Sequence, residues 1–182
     1  MMAAKTNYYG KVPPRPSPVR TTHMKLNFLF PGKTREAFLA DGINSYLKRL
    51  KPMVQSDIHI LKAGTAAPGG GSAAEALARS RESTIILERC GAGEYLIVLD
   101  VQGELMSSPE LAAKFERLQD NGTKTVNIVV GGPWGVDENL LERANLRLSL
   151  GPMTYPHELA RLIILEQVYR AYAIINKIPY HK

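Results

Sequence analysis

The sequence between residues 126 and 135 is Val126-Asn-Ile-Val-Val-Gly131-Gly132-Pro-Trp-Gly135. Its first half is apolar and rich in β-branched residues, a pattern typical of a strand buried on both faces of a sheet. The glycines then end the strand in a loop whose backbone can approach a ligand closely, because glycine has no Cβ. The stretch therefore predicts a buried strand followed by a loop suited to binding.

The rest of the chain alternates strand and helix signals. Apolar runs predict strands at residues 25–30, 57–61, 95–100, 126–130 and 146–150. Apolar residues at helical spacing predict helices at residues 33–51, 73–89, 108–119 and 156–175. Alternating elements with continuously apolar strands form parallel sheets covered on both faces. We therefore predict an α/β fold with a mostly parallel sheet of about five strands and helices on both faces.

Three of the predicted strands end in loops that carry glycine, proline or an acidic residue, at residues 99–101, 131–135 and 150–156. In parallel sheets, ligands bind beyond the carboxyl ends of the strands, so we expect these loops to surround one crevice. The pattern Gly-Gly-Pro-Trp-Gly differs from the dinucleotide fingerprint Gly-x-Gly-x-x-Gly. The pattern alone leaves structural turns and a cofactor site both open.

Length and composition limit the class of protein. The 182 residues fit one domain, predicted at residues 24–182, preceded by a proline-rich segment at residues 1–23 that is predicted to be disordered. A basic arm that contacts RNA is the alternative for that segment. Cys90 is the single cysteine, and no apolar run is long enough to span a bilayer. These features favour a cytoplasmic protein without disulfides and without a membrane segment.

The net charge of +6 is unevenly distributed along the chain. Residues 1–23 contain four basic residues and no acidic one, which leaves 19 basic and 17 acidic residues in the remainder. The predicted domain is therefore only mildly basic. A surface for nucleic acid would have to be a local patch.

The predicted helix at residues 156–175 is apolar around nearly its whole circumference. A helix of this kind is buried on two sides. One side can face the sheet of its own chain, and we expect the other to face a second copy in a symmetric homodimer. Ile164 is an example of a position expected at that interface.

The polar residues of the same region allow several interpretations. His157, in the first turn of the helix, is either a base or phosphate ligand or a half-exposed polar residue. Glu166 and Arg170 are spaced i, i+4, which favours a plain salt bridge, whereas Arg161 must find a partner or line a site. By composition the end Tyr180-His181-Lys182 is frayed. No histidine spacing indicates a metal site.

Several segments together resemble the RlmH family of bacterial ribosomal RNA methyltransferases from residue 24 to residue 182. They are Tyr95-Leu-Ile-Val-Leu-Asp100 with Gly103, Ser107-Ser108-Pro-Glu-Leu-Ala, Val130-Gly-Gly-Pro-Trp-Gly135, Leu148-Ser-Leu150, Met153-Thr-Tyr-Pro-His157, Glu166-Gln-Val-Tyr-Arg-Ala171 and Tyr180-His181-Lys182. The chain departs from the family at Arg81-Glu82-Ser83, where the family has a Glu-Gly segment, and at residues 1–23. The resemblance implies a SPOUT α/β-knot fold with a C-terminal trefoil knot and a homodimer.

The resemblance also implies S-adenosyl-L-methionine as methyl donor and N3 of a pseudouridine in large-subunit ribosomal RNA, within the ribosome, as acceptor. The family's cofactor contacts match Leu99, Gly132, Leu150, Gly151, Pro152, Met153, Thr154 and Tyr155. Its catalytic or RNA-binding positions match His157, Glu166, Tyr169, Arg170, Tyr180 and His181. Methyl transfer from a sulfonium needs no metal.

The acceptor N3–H is weakly acidic, so the resemblance requires a base or a cation that stabilises the anionic ring. His181 and Glu166 are the candidate bases, and Arg170 or Lys182 could hold the negative charge or a phosphate. Two alternatives from other classes remain open. One is a non-catalytic RNA-binding module associated with the ribosome, and the other is a SPOUT methyltransferase that acts on transfer RNA.

Overall fold

The computed structural model describes residues 23–66 and 69–180. The strands are β1 (Lys25–Pro31), β2 (Gln55–Leu61), β3 (Tyr95–Leu105), β4 (Thr125–Val129) and β5 (Leu146–Ser149). The helices are α1 (Ala37–Leu50), α2 (Gly71–Arg89), α3 (Ser108–Asp120), α4 (Glu138–Arg143) and α5 (His157–Ile175). The predicted disordered segment lies outside the described residues except for its last residue, and so do His181 and Lys182.

The five strands form one sheet in the order β2-β1-β4-β3-β5, and every pair of neighbours is parallel. Helices α1, α3 and α5 pack on one face of this sheet, while α2 and α4 pack on the other. The prediction of a parallel sheet of about five strands between two helical layers is therefore confirmed.

The alternation of side chains along the central strands builds two cores. In β1, Leu26, Phe28 and Phe30 face α1, α3 and α5, whereas Leu29 faces the α2 side. Each of these side chains is at most 1% exposed. Full burial of such a side chain contributes about 1.5–3 kcal/mol, so both faces of the sheet stabilise the fold.

A row of polar side chains crosses the α2 face of the sheet. Arg89 Nη2 lies 3.1 Å from His59 Nδ1, and His59 Nε2 lies 3.2 Å from Asn27 Oδ1. Because a guanidinium can only donate, the proton of the neutral imidazole belongs on Nε2, which donates to Asn27. Asn27 Nδ2 then donates to Asn127 Oδ1 (3.0 Å), and Asn127 Nδ2 donates to Glu94 Oε2 (2.7 Å). The row links three neighbouring strands through satisfied hydrogen bonds.

Two parts of the fold differ from the prediction. Helix α4 was not predicted, because a single turn and a half is too short to show an apolar period; Asp137 caps it by accepting from the Leu140 N–H (3.1 Å). Strand β3 continues past Asp100 to Leu105, with a break in its pairing to β5 between Leu99 and Glu104. After the break Glu104 and Leu105 pair with Leu148 and Ser149, so the residues between Leu99 and Glu104 leave the regular ladder.

The expectation that Ile164 lies at a subunit interface is wrong. Its side chain is 1% exposed within the single chain and belongs to the core beneath α5. Besides the sheet, α1 and α3 flank α5 and cover it within the chain. The apolar side chains that remain half-exposed on α5 are instead Leu159, Leu162, Ile163, Ile174 and Ile175.

No helix in the part of the chain that the structure describes has the length and apolar character needed to cross a membrane.

Candidate functional site

A cavity of about 390 Å³ opens at the carboxyl ends of the strands, within the range typical of small-molecule sites. Three loops line it, namely those after residues 99, 130 and 148, as the sheet argument predicted. The predicted cofactor residues that line the cavity are Leu99, Gly132, Leu150, Gly151, Met153, Thr154 and Tyr155. Pro152 is exposed and lies outside the lining.

The walls combine apolar side chains with glycine backbone. Leu99, Leu148 and Leu150 contribute the apolar surface, while Gly151 and Gly135 expose main-chain atoms. Gly151 has a φ of +122° and Gly135 a φ of +78°, which are conformations that side-chain-bearing residues rarely adopt. The cavity therefore offers both an apolar surface and backbone groups that can form hydrogen bonds.

The loop after β5 is fixed by its own hydroxyl group. Ser149 Oγ donates to the Val101 carbonyl over 3.1 Å and accepts the N–H of Gly151 over 3.2 Å. Arg147 Nη2 and Asp100 Oδ2 form an ion pair of 2.6 Å beside the cavity. These contacts tie the ends of β3 and β5 together, so the two loops keep a fixed spacing.

His157 begins α5 and lines the same cavity. Burial lowers the pKa of this imidazole, the nearby Arg161 and Arg35 lower it further, and Glu158 opposes them. The His157 ring is therefore neutral at pH 7 and able to accept a proton. Its neighbour Glu158 accepts the backbone N–H groups of Arg35 and Glu36 through Oε2, at 2.9 and 3.2 Å, which anchors the start of α1 to α5.

A second cluster forms near the middle of α5. Glu166 Oε1 accepts from Arg170 Nε over 3.0 Å and from the Tyr180 hydroxyl over 3.1 Å. The Tyr180 ring stacks edge-on against Tyr169 at 4.7 Å and lies under the Arg170 guanidinium at 4.8 Å. The Tyr46 hydroxyl of α1 is 3.2 Å from that of Tyr180. The predicted Glu166–Arg170 ion pair is confirmed, and four predicted residues share one cluster.

The two groups of predicted residues are apart within one chain. Glu166 follows His157 by nine residues on the same helix, which is about 13 Å along its axis at about 1.5 Å per residue. Tyr180 packs against the Glu166 end, not against the cavity. His181, the remaining predicted catalytic residue, lies outside the described residues. A reaction that uses both groups must therefore bridge this distance.

Sequence reasoning missed Tyr46 and left Arg161 undecided. Tyr46 meets the cluster from a helix more than a hundred residues away in sequence, a contact that no local pattern predicts. Arg161 is fully buried and donates to the carbonyl groups of Pro31 and Gly32 and to Thr34 Oγ1. The arginine thus fixes the loop after β1 beside the cavity.

Among residues 23–66 and 69–180 no group of three or more His, Cys, Asp or Glu side chains is arranged to hold a metal ion. The single thiol, Cys90, is half-buried, and burial raises its pKa to about 11. This thiol stays protonated and is a poor nucleophile at neutral pH.

The chain matches one family model and is similar to several named proteins. Residues 24–181 match the family model described as "Predicted SPOUT methyltransferase". A protein of Acetivibrio thermocellus named ribosomal RNA large subunit methyltransferase H is 42% identical over 159 residues, covering 87% of this chain and 100% of that protein. Proteins of the same name from Desulforamulus reducens and Enterococcus faecalis are each 38% identical, cover 87% of this chain, and are themselves covered to 99% and 100%.

Proposed function

The chain belongs to the SPOUT methyltransferase family, and from this premise we propose that it transfers the methyl group of S-adenosyl-L-methionine to ribosomal RNA of the large subunit. Similar proteins named ribosomal RNA large subunit methyltransferase H are covered nearly end to end. The proposed acceptor is N3 of a pseudouridine. The chain is a methyltransferase, and its donor and acceptor are the parts proposed here.

The observation that carries the proposal is the cavity at the strand ends. Its leucine surface and glycine backbone suit an adenine ring, and its volume of about 390 Å³ suits a nucleoside with a short side chain. In this proposal Leu99 and Leu150 contact the faces of the ring, while the backbone around Gly132 and Gly151 binds its polar edges. The bound donor would supply an electrophilic methyl group on a sulfonium, which needs no metal.

His157 and His181 are the proposed proton acceptors, because N3 of the base must lose its proton as the methyl group arrives. His157 lies at the cavity and is neutral at pH 7, since burial and nearby arginines lower its pKa. Glu166 is less suited to this role in the described arrangement, because Arg170 and Tyr180 already occupy the lone pairs of its Oε1.

The cluster of Tyr46, Tyr169, Tyr180 and Arg170 is proposed to bind RNA. Aromatic rings stack on unpaired bases, and a guanidinium binds a phosphate or an electron-rich ring. Its bond to Glu166 raises the pKa of Arg170, which therefore stays charged at every physiological pH. A cluster of this composition can hold a loop nucleotide that has left its helical stack.

A symmetric homodimer goes with this function, as does the trefoil knot that the resemblance implies. The half-exposed Leu159 and Ile163 of α5 offer an apolar stripe to a second copy. A two-fold axis that crosses α5 between His157 and Glu166 would set the cluster of each chain opposite the cavity of the other. Such a dimer would remove the distance of about 13 Å that separates the two groups in one chain.

A cytoplasmic location accompanies the proposal, because the large ribosomal subunit is the substrate. The cavity argues against a non-catalytic module, since a protein that only binds RNA has no need of a nucleoside site.

The test is incubation of the protein with tritiated S-adenosyl-L-methionine and ribosomes from a strain that lacks the modification. We expect label in the large-subunit RNA at one nucleotide, which digestion and mass spectrometry identify as N3-methylated pseudouridine. Ribosomes that already carry the modification are the control and should take up none. Label in transfer RNA alone would support a SPOUT methyltransferase that acts on transfer RNA. Absence of label despite donor binding would support a non-catalytic RNA-binding module.

A further inference from the structure

Helix α2 contacts the loop that follows β4 through side chains on one of its faces. Arg79 Nη1 donates to the carbonyl of Trp134 over 3.4 Å, and Ser83 Oγ accepts the N–H of Asp137 over 3.2 Å. Glu82 lies on the same face, because positions three and four apart are neighbours on a helix. Helix α2 therefore contacts the loop at its middle, Trp134, and at its end, Asp137, and the Glu82 carboxylate lies on the same helix face.

The Glu82 carboxylate is buried against this loop. Its side chain is 2% exposed, its Oε1 accepts the N–H of Gly64 over 2.8 Å, and its Oε2 has no hydrogen-bond partner. A Cβ placed on Gly132 would lie 2.5 Å from that Oε2. Burial raises the pKa of Glu82, while the hydrogen bond from the Gly64 N–H, the charge of Arg161 and the nearby Gly132 N–H, which falls short of good hydrogen-bond geometry, lower it. Gly132 thus rests directly on the carboxylate.

Helix α2 is itself held firmly at this point. A Cβ on Gly64 would collide with the backbone carbonyl of Ala78, so the segment after β2 packs on the helix backbone. Ala78 and Ile86 of the same helix are buried. The face that carries Glu82 and Ser83 therefore has a fixed position relative to the sheet.

A burial of this kind is costly for a carboxylate, above all when one oxygen lacks a partner. The loop, in turn, contains Gly131, Gly132 and Gly135, and glycine loses more conformational freedom on ordering than any other residue. Contacts from outside the loop are needed to keep it in one shape. Both the costly burial of Glu82 and the order of this glycine-rich loop are explained if the carboxylate stabilises the conformation of the loop and not the fold as a whole.

We propose that Glu82 and Ser83 are positioning residues, which hold residues 131–137 in the shape that forms one wall of the methyl-donor cavity. They act through the loop, since neither lines the cavity. The identity of the ligand rests on the proposed function, but the contacts between α2 and the loop do not.

Trp134 allows a direct test, because it is the single tryptophan of the sequence and lies within the loop. The variants Glu82→Gln and Ser83→Ala are compared with Glu75→Gln, an exposed position on α2. We expect acrylamide to quench Trp134 more strongly in Glu82→Gln and Ser83→Ala, and S-adenosylhomocysteine to bind at least about tenfold more weakly by calorimetry. Glu75→Gln should match the wild type in both. Unchanged quenching in the folded Ser83→Ala and Glu82→Gln proteins would overturn the proposal.

A double-variant cycle separates the two possible roles of Gly132. Gly132→Ala places a methyl group against Glu82, so it should weaken S-adenosylhomocysteine binding, and adding Glu82→Ala should recover part of the loss. If the loss is the same with and without Glu82, Gly132 serves the ligand directly and the carboxylate does not position the loop. If the wild type binds no S-adenosylhomocysteine, the proposed function fails, while quenching of Trp134 still tests the contacts of α2.

Discussion

At the scale of single residues, polar side chains of α5 form hydrogen bonds that fix the backbone of neighbouring segments. Arg161 donates to backbone carbonyl groups at the end of β1, and Glu158 accepts the N–H groups that begin α1. Both belong to the first turns of α5, beside His157. Side chains of one helix therefore fix two neighbouring segments around the cavity.

His59 gives a prediction of pH dependence. Burial lowers the pKa of this imidazole, and the charges of Arg89 and Lys25 lower it further against Asp57. Because the folded pKa is below the value of about 6.5 in the unfolded chain, the unfolded state binds the proton more readily. The stabilisation is complete above about pH 6.5 and is lost as the pH falls through the folded pKa.

The variant His59→Gln should keep the row of hydrogen bonds, since its amide can donate to Asn27 and accept from Arg89, but it cannot titrate. Thermal melting between pH 5 and pH 8 should show a steeper acid-side loss of stability in the wild type than in the variant. His157, whose pKa is also lowered, is present in both proteins, so its contribution to the pH dependence of stability is the same in both. Equal slopes would show that His59 does not contribute to the acid dependence.

At the scale of elements, some features follow from local sequence and others do not. The capping box that starts α3 is visible as Ser107 and Glu110, and the structure contains both of its hydrogen bonds. The crevice was predictable because parallel strands bring their carboxyl ends to one edge. The burial of Glu82 was not predictable, because the local sequence Arg81-Glu82-Ser83 is polar and typical of a solvent-facing segment. Its partners come from loops that are distant in sequence.

Removal of the C-terminal segment tests whether the cavity binds the donor independently of the cluster, which is proposed to bind the RNA. Tyr180 bonds to Glu166 and Tyr46 by its hydroxyl group, while His181 follows directly. Removal of residues 180–182 should leave donor binding intact and reduce methyl transfer to ribosomes strongly. His181→Ala alone should lower the single-turnover rate by about a hundredfold if it is the base, and by less if it only positions the RNA.

The readouts for the shortened protein are calorimetry with S-adenosylhomocysteine, thermal melting and single-turnover methylation of ribosomes. Tyr180→Phe serves as the control that keeps the ring contact with Tyr169 and removes one hydroxyl group. Wild-type turnover by the shortened protein would remove the segment from the mechanism. His157 would then be the remaining candidate base.

At the scale of the whole molecule, the cavity and the cluster lie about 13 Å apart along α5 within one chain, so their proposed action on one nucleotide depends on how two chains associate. The single chain covers α5 with the sheet, α1 and α3, and still leaves the apolar Leu159 and Ile163 half-exposed. A local pattern could not separate cover by neighbouring helices from cover by a partner. That is why the sequence placed Ile164 at an interface although it lies in the core.

A mixed dimer distinguishes sites within chains from sites between chains. Gly151→Val should distort the cavity loop, since its φ of +122° does not suit a β-branched residue, and deletion of residues 180–182 removes the end of the cluster. Each variant alone should form an inactive dimer. When the two carry different affinity tags and the mixed dimer is purified, it contains one chain with an intact cavity and one chain with an intact cluster. If the site forms between chains, one of two sites is restored, and methylation should return to about half of the wild-type rate.

If each chain uses its own cavity and cluster, the mixed dimer contains no complete site and stays inactive. Sedimentation equilibrium at micromolar concentration is the control for both outcomes, and a species of 20.1 kDa would contradict the dimer itself. The wild type, tagged in both ways and mixed by the same procedure, corrects for losses during purification. Half-restored activity therefore has one explanation, because neither chain supplies both the cavity and the tail.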